Sequence, residues 1–204
     1  MKQHLINVYI LLIFTSGSIF SQVTSEQIHY GASSLSMAAS DIAIPKTSWS
    51  AFVNAAGIVD QQGVTFVASS QSHFSQDFLS HSLFGVQFKN SKYGSFGISF
   101  ENSSVDYSGN NLATETAIGI HQGISLRSDR NSSFSFGYGL KSYTVDYGSS
   151  AGPSGDGSDG IELGSLNAFG LDVSFLGSLG KRIRVGAKAL NINSPTLGNA
   201  NLAM

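Results

Sequence analysis

From Val64 onward, bulky apolar residues alternate with small or polar ones at period two, in runs that polar connectors separate. Phe84, Val86 and Phe88 oppose Gly85, Gln87 and Lys89, and Phe96, Ile98 and Phe100 oppose Ser95, Gly97, Ser99 and Glu101. Residues 116–127 place Ile118, Ile120, Ile124 and Leu126 on one side, with Gln122 as the polar exception. On the other side lie Ala117, Gly119, His121, Gly123, Ser125 and Arg127. Phe134, Phe136, Tyr138 and Leu140 are backed by Ser133, Ser135, Gly137, Gly139 and Lys141. The last pair of runs is Phe169, Leu171, Val173, Phe175 and then Ile183, Val185, Ala187, Ala189. Period two is the mark of strands with chemically distinct faces. Val64, Phe66 and Ala68, alternating with Thr65, Val67 and Ser69, make an ambiguous first strand.

The connectors have their own order. Asn90–Tyr93, Ser128–Ser132 and Gly180–Arg182 are of hairpin length. Residues 71–81, 102–115 and 142–167 are long and rich in Ser, Asn, Gly or Asp. Alternating long and short links, with strands that are apolar on one face only, is what a transmembrane barrel requires. Its short turns face the periplasm, its long loops face outside, and each strand shows one face to lipid and one to the lumen. The predicted fold is therefore all-β, an antiparallel up-and-down outer-membrane β-barrel, incomplete, with about seven strands in an open curved sheet. Its predicted location is the outer membrane of a Gram-negative-type bacterium.

The phase of the strands assigns the faces. Phe84, Phe88, Phe96, Phe100, Phe134, Phe136, Tyr138, Phe169 and Phe175 are the lipid-facing candidates. His121, Lys141, Asp172, Arg184 and Lys188 are the lumen-facing ones, on a side otherwise dominated by Gly and Ser. A three-residue loop at Leu179–Lys181 would set Asp172 directly opposite Lys188, and a register shifted by two would make that pair diagonal.

Composition narrows the class. Charged residues are 12% of the 204-residue chain, about half the share in a typical soluble protein. The net charge of −2 supplies no basic stripe for nucleic acid. There is no Cys, so disulfides, thiol chemistry and a lipidated cysteine are excluded. Lys2, the apolar run Leu5–Phe14 and the small residues that follow outline a secretory signal peptide over residues 1–21, with cleavage after Ser21 or after Ser18. Residues 22–62 form an N-terminal lead-in or plug containing one short strand or helix. Residues 63–204 form the partial barrel.

Motifs with catalytic spelling lack the context that gives them meaning. Gly155-Asp156-Gly157-Ser158-Asp159-Gly160 spells G-x-G-x-x-G inside a Gly/Ser loop, without the flanking strand and helix that phosphate binding needs. Asp156 and Asp159, a single unrepeated pair, read as solvated loop carboxylates rather than Ca²⁺ ligands. Ser178-Leu179-Gly180-Lys181 spells S-x-x-K across a hairpin. His73 and His81 share a loop without a third ligand. No nucleophile, base and orienting group assemble, so the chain is read as non-enzymatic, with no cofactor and no metal.

Gly31-Ala32-Ser33-Ser34-Leu35-Ser36-Met37-Ala38-Ala39-Ser40 followed by Phe52-Val53-Asn54-Ala55-Ala56-Gly57-Ile58 resembles the opening of PorV/PorQ outer-membrane proteins, relatives of FadL-like barrels. Those chains carry a G-A-R-S-L-x-M-G-G-A-like stretch and then an N-P-A-G-L-like turn. Here Ser33 replaces the basic residue, Ala38 and Ala39 replace glycines, and Ala55 replaces the proline. Asn191-Ile192-Asn193-Ser194-Pro195 is similar to a later N-L-N-S-P-like element. The resemblance implies a barrel in contact with outer-membrane lipid, serving type IX-like protein secretion or transport. Its implied partners are secretion-machinery proteins or hydrophobic small molecules. Seven strands is an odd number, and Leu202-Ala203-Met204 is no terminal aromatic strand, so the sequence is expected to be a fragment with unpaired sheet edges. Two other readings are a secreted soluble β-sandwich adhesin or binding module, which would bury Phe134, Phe136, Phe169 and Phe175 between two sheets, and a surface hydrolase using a lumen Ser or His.

Overall fold

The structure is a computed structural model that describes residues 31–195 except 39, 73–75, 91, 108, 151, 156, 157 and 181. The expected signal peptide, His73, Asp156, Lys181 and the final Leu202-Ala203-Met204 lie outside the described residues.

Seven strands form one antiparallel sheet in chain order: β1 Val64–Ser72, β2 Leu79–Asn90, β3 Gly94–Tyr107, β4 Asn110–Ser128, β5 Ser132–Asp146, β6 Ser165–Leu179 and β7 Ile183–Ala189. Ahead of them come two short helices, α1 (Gly31–Ser36) and α2 (Ser50–Val53), and a 3₁₀ helix (Ala55–Asp60). No strand lies in the described part of this lead-in. The six-residue 3₁₀ helix touches β2, β3, β4, β5 and β6. A flat sheet could not bring five neighbouring strands to so small an element; the sheet curls around it as an open half-barrel.

Except beyond bulges in the β3–β4 ladder at Val105/Asp106 and in the β4–β5 ladder at Ser125/Arg127, every strand keeps one side-chain phase. Past the second bulge Arg127, expected among the small residues of the inward face, turns outward beside Phe134. Odd-numbered residues of β1 to β5 and even-numbered residues of β6 and β7 face inward onto the concave side, as their burial shows. The ambiguous first strand resolves the same way. Val64, Phe66 and Ala68 turn outward, and Val67 packs inward on the cluster around Phe52.

Of the expected long connectors, 102–115 is mostly strand and 71–81 is strand at both ends. β1 runs to Ser72 and β2 begins at Leu79, while β3 and β4 are joined only by residues 108 and 109. Residues 102–115 carry no clear apolar alternation because Ser, Asn, Thr and Asp fill most of their positions. They pair through side chains instead: Asn102 donates to Thr116 Oγ1 at 3.1 Å and Asn111 to Asp106 at 2.9 Å. Gly109, at φ +83°, makes the tight turn. The third connector is long, spanning 147–164, and holds itself together through bonds such as Leu163 N to Gly148 O at 2.9 Å. At the opposite end the links are 91–93, 129–131 and 180–182.

His81, expected in a loop, lies in β2 and is fully buried. The β6–β7 turn falls one residue later than Leu179–Lys181, which produces the shifted register. Ser174, not Asp172, stands opposite Lys188.

Candidate functional site

The concave side holds two features, a seated N-terminal segment and a sealed polar cluster beside it. Phe52, Ala56 and Ile58 are completely buried, and Ala51, Val53, Asn54 and Ala55 nearly so. Asn54 organises the segment. Its Oδ1 accepts from Ala56 N at 3.0 Å and caps the 3₁₀ helix, while its Nδ2 donates to Ile42 O at 2.8 Å and Phe175 O at 3.0 Å. Ala51 N donates to Gln87 Oε1 at 3.2 Å, Ala56 N to Ser174 Oγ at 3.2 Å, and Lys188 Nζ to Phe52 O at 2.7 Å. Bonds from β2, β6 and β7 thus hold the plug from both sides of the curl.

The small residues of the concave face make room for it. A Cβ on Gly85 would stand 2.6 Å from the Phe52 ring, one on Gly97 2.9 Å from Ala51 Cβ, and one on Gly123 2.7 Å from Ala55 O. A Cβ on Gly137 would overlap Ala56 N. These glycines sit where another backbone approaches the sheet. Their density on one face was the available signal for a seated segment.

Beside the plug lies a charge cluster drawn from three strands. Lys141 Nζ is 3.4 Å from Glu101 Oε1 and 3.8 Å from Asp172 Oδ2, with Lys141 and Glu101 each 1% exposed. Asp172 Oδ1 also accepts from Asn191 N at 2.9 Å, and Tyr143 donates to Asn191 Oδ1 at 3.3 Å. His121 Nε2 is 2.8 Å from Ser99 Oγ, and His81 Nδ1 is 2.6 Å from Ser103 Oγ. A Ser–His contact at that distance is what a nucleophile and its base would make. Both members here are buried, and a Cβ on Gly119 or Gly139 would collide with the imidazole, so the ring lies flat against the sheet. No group of three metal-ligating side chains occurs among the described residues.

Of the inward candidates, His121, Lys141 and Asp172 are brought together in this layer, Lys188 reaches the plug, and Arg184 stands apart. It is exposed, lining a cavity of about 340 Å³ with Lys46, Asp60 and Ser178. Ser178, from the S-x-x-K spelling, hydrogen-bonds Ser133 at 2.6 Å. Glu101, Asn54, Gln87 and Ser174 were not among the sequence candidates, and His81 was weighed only as a loop metal ligand. Asn191 and Asn193 have a clear local role. Asn193 accepts from Leu171 N at 2.8 Å and donates to Phe169 O at 2.6 Å, so its side chain stands in for a strand partner where β7 has ended.

The convex side is ordered in rows. Phe66, Val86, Ile98, Ile120, Leu140 and Leu171 stand in register across six strands. One row further from the short turns come Ala68, Phe84, Phe100, Ile118, Ser142 and Phe169. The next row is Ser70, Ser82, Asn102, Thr116, Thr144 and Asn167, with no apolar member. Toward the short turns the surface is aromatic: Phe88 stacks on Phe96, and Phe175 packs on Phe134 and Phe136. Gln122, the polar exception, donates to Tyr93 O at 2.6 Å and accepts from the Tyr138 hydroxyl. Phe134, Phe169 and Phe175 remain 43%, 62% and 41% exposed, and the described residues form a single sheet with no second layer over them.

No protein-family profile, curated protein or solved structure matches this chain.

Proposed function

We propose that the chain is part of a non-enzymatic outer-membrane β-barrel protein, that its convex face meets lipid, and that its N-terminal segment occupies the lumen. The supporting observation is the convex apolar band, continuous across the strands and ended by a row made only of Ser, Thr and Asn. On β6 the outward residues from Phe169 to Leu179 are apolar except Gly177. At about 3.3 Å per residue that stretch is about 33 Å long. A strand tilt of about 40° reduces it to about 25 Å, the height of an outer-membrane apolar band.

The plug and the buried cluster fill the concave side and present no reacting group to a substrate, which fits a non-enzymatic role. The resemblance to PorV/PorQ proteins makes type IX-like secretion, or passage of hydrophobic molecules, the role proposed here. Secretion-machinery proteins or those molecules are the proposed partners.

Fractionation of the producing cells tests the reading. The protein is expected to stay with outer membranes through a carbonate wash and to need detergent for release. Recovery in the aqueous supernatant would refute it.

A further inference from the structure

The two ends of the sheet carry opposite charge. At the short-turn end lie Lys89, Lys92, Arg127, Arg130, Arg182 and Arg184, all exposed. At the other end, residues 73–82, 102–116 and 142–167 contain no Lys or Arg, while Asp77, Asp106, Asp146, Asp159 and Glu162 lie there. A net charge of −2 conceals this separation. The anions near the basic rim are few: Asp129 meets Arg127 at 2.6 Å with both side chains well exposed, and Asp60 shares a cavity lining with Lys46 and Arg184.

We infer that the basic rim binds anionic phospholipid headgroups of the leaflet at the short-turn end. The inference rests on the membrane reading above. Two of the cations sit directly beneath the apolar band: Arg127 pairs across the ladder with Phe134, and Lys92 lies 5.1 Å from the ring centre of Tyr93, whereas Lys89 and Arg184 keep the inward phase and face the concave side. Successive short turns are separated by two strand spacings, about 10 Å. That is close to the Debye length at physiological salt, about 8 Å, so neighbouring turns act on the same patch of headgroups. Basic residues beside an anionic bilayer surface each strengthen attachment several-fold. The acidic far end has no such attraction and meets its surroundings through uncharged Ser, Thr and Asn rows.

The test is flotation of the full chain, refolded with phosphatidylcholine vesicles with or without phosphatidylglycerol. Phosphatidylglycerol is expected to raise lipid partitioning about tenfold or more at low salt, and high salt to abolish the gain. Replacing Lys92→Gln, Arg127→Gln and Arg130→Gln together is expected to remove most of the gain. Exchanging the same three positions between Lys and Arg is expected to keep it, and neutralising Asp106→Asn with Asp146→Asn to leave it unchanged. Circular dichroism checks that each variant keeps its sheet. Equal flotation with both lipids, or a gain that survives in the triple Gln variant, overturns the rim. No flotation with either lipid overturns the membrane reading itself, and the rim with it.

Discussion

Lys188 Nζ donates to the carbonyl of Phe52 at 2.7 Å, joining the last strand to a plug residue 136 positions earlier in the chain. Together with Asn54, which reaches Ile42 O and Phe175 O, it fixes the plug against β6 and β7. Lys188→Met removes one donor, and Asn54→Ala removes two donors and a cap. Each is expected to cost about 1–3 kcal/mol. Amide hydrogen exchange over residues 50–60 should accelerate in both variants while β3 to β5 stay protected. Unchanged exchange in both would mean these bonds do not hold the plug.

The socket is expected to resist added volume. Gly137→Ala places a methyl group on Ala56 N, whereas at Gly177 the nearest atom to a new Cβ is 3.6 Å away on Phe134. The first substitution should destabilise by about 1–3 kcal/mol and the second by much less. Urea unfolding midpoints compare them, and equal midpoints would contradict the close fit.

Lys141 is the cation between two buried carboxylates. Lys141→Met leaves Glu101 and Asp172 uncompensated and is expected to cost about 3–5 kcal/mol. Adding Glu101→Gln and Asp172→Asn should recover part of that loss. A triple variant no more stable than Lys141→Met would rule out charge as the cause.

The convex band can be probed within one strand. Ile120 and Thr116 share the outer face of β4, two rows apart across the polar boundary. In vesicles, Ile120→Arg is expected to cost about 2–4 kcal/mol and Thr116→Arg about 0–1. Similar costs would argue against lipid at the Ile120 row.

In the 147–164 loop, the Ser154 hydroxyl and N–H both donate to Asp159 Oδ1, at 2.6 and 3.2 Å, and lower the Asp159 pKa below the usual carboxylate value. Because the folded pKa is the lower one, this turn's contribution is complete above the ordinary Asp pKa. It disappears as pH falls through the lowered value. The Ser154 amide resonance followed through an acid titration should move with a midpoint below that of a free Asp, a midpoint that Ser154→Ala should raise.

Strand identity and facing were legible wherever apolar and small residues alternate, as in Phe96–Glu101 or Phe134–Lys141. The outer halves of β3 and β4 were not, because Ser, Asn and Thr on both faces leave no period to read and the pairing is made by cross-strand side-chain bonds. His81 was hidden for the same reason: its neighbours Ser80 and Ser82 read as loop. The glycines signalled a crowded face, but which backbone crowds it depends on contacts between residues more than 30 positions apart, such as Ala51 with Gln87. No local pattern encodes those.

A meander of seven strands leaves β1 and β7 pointing the same way. Bringing those margins together directly would zip them parallel, and a second copy in the same orientation would offer the same mismatch. Completing the ring with every neighbour antiparallel takes an odd number of additional strands. The topology therefore discourages both direct closure of β1 onto β7 and pairing between like-oriented copies.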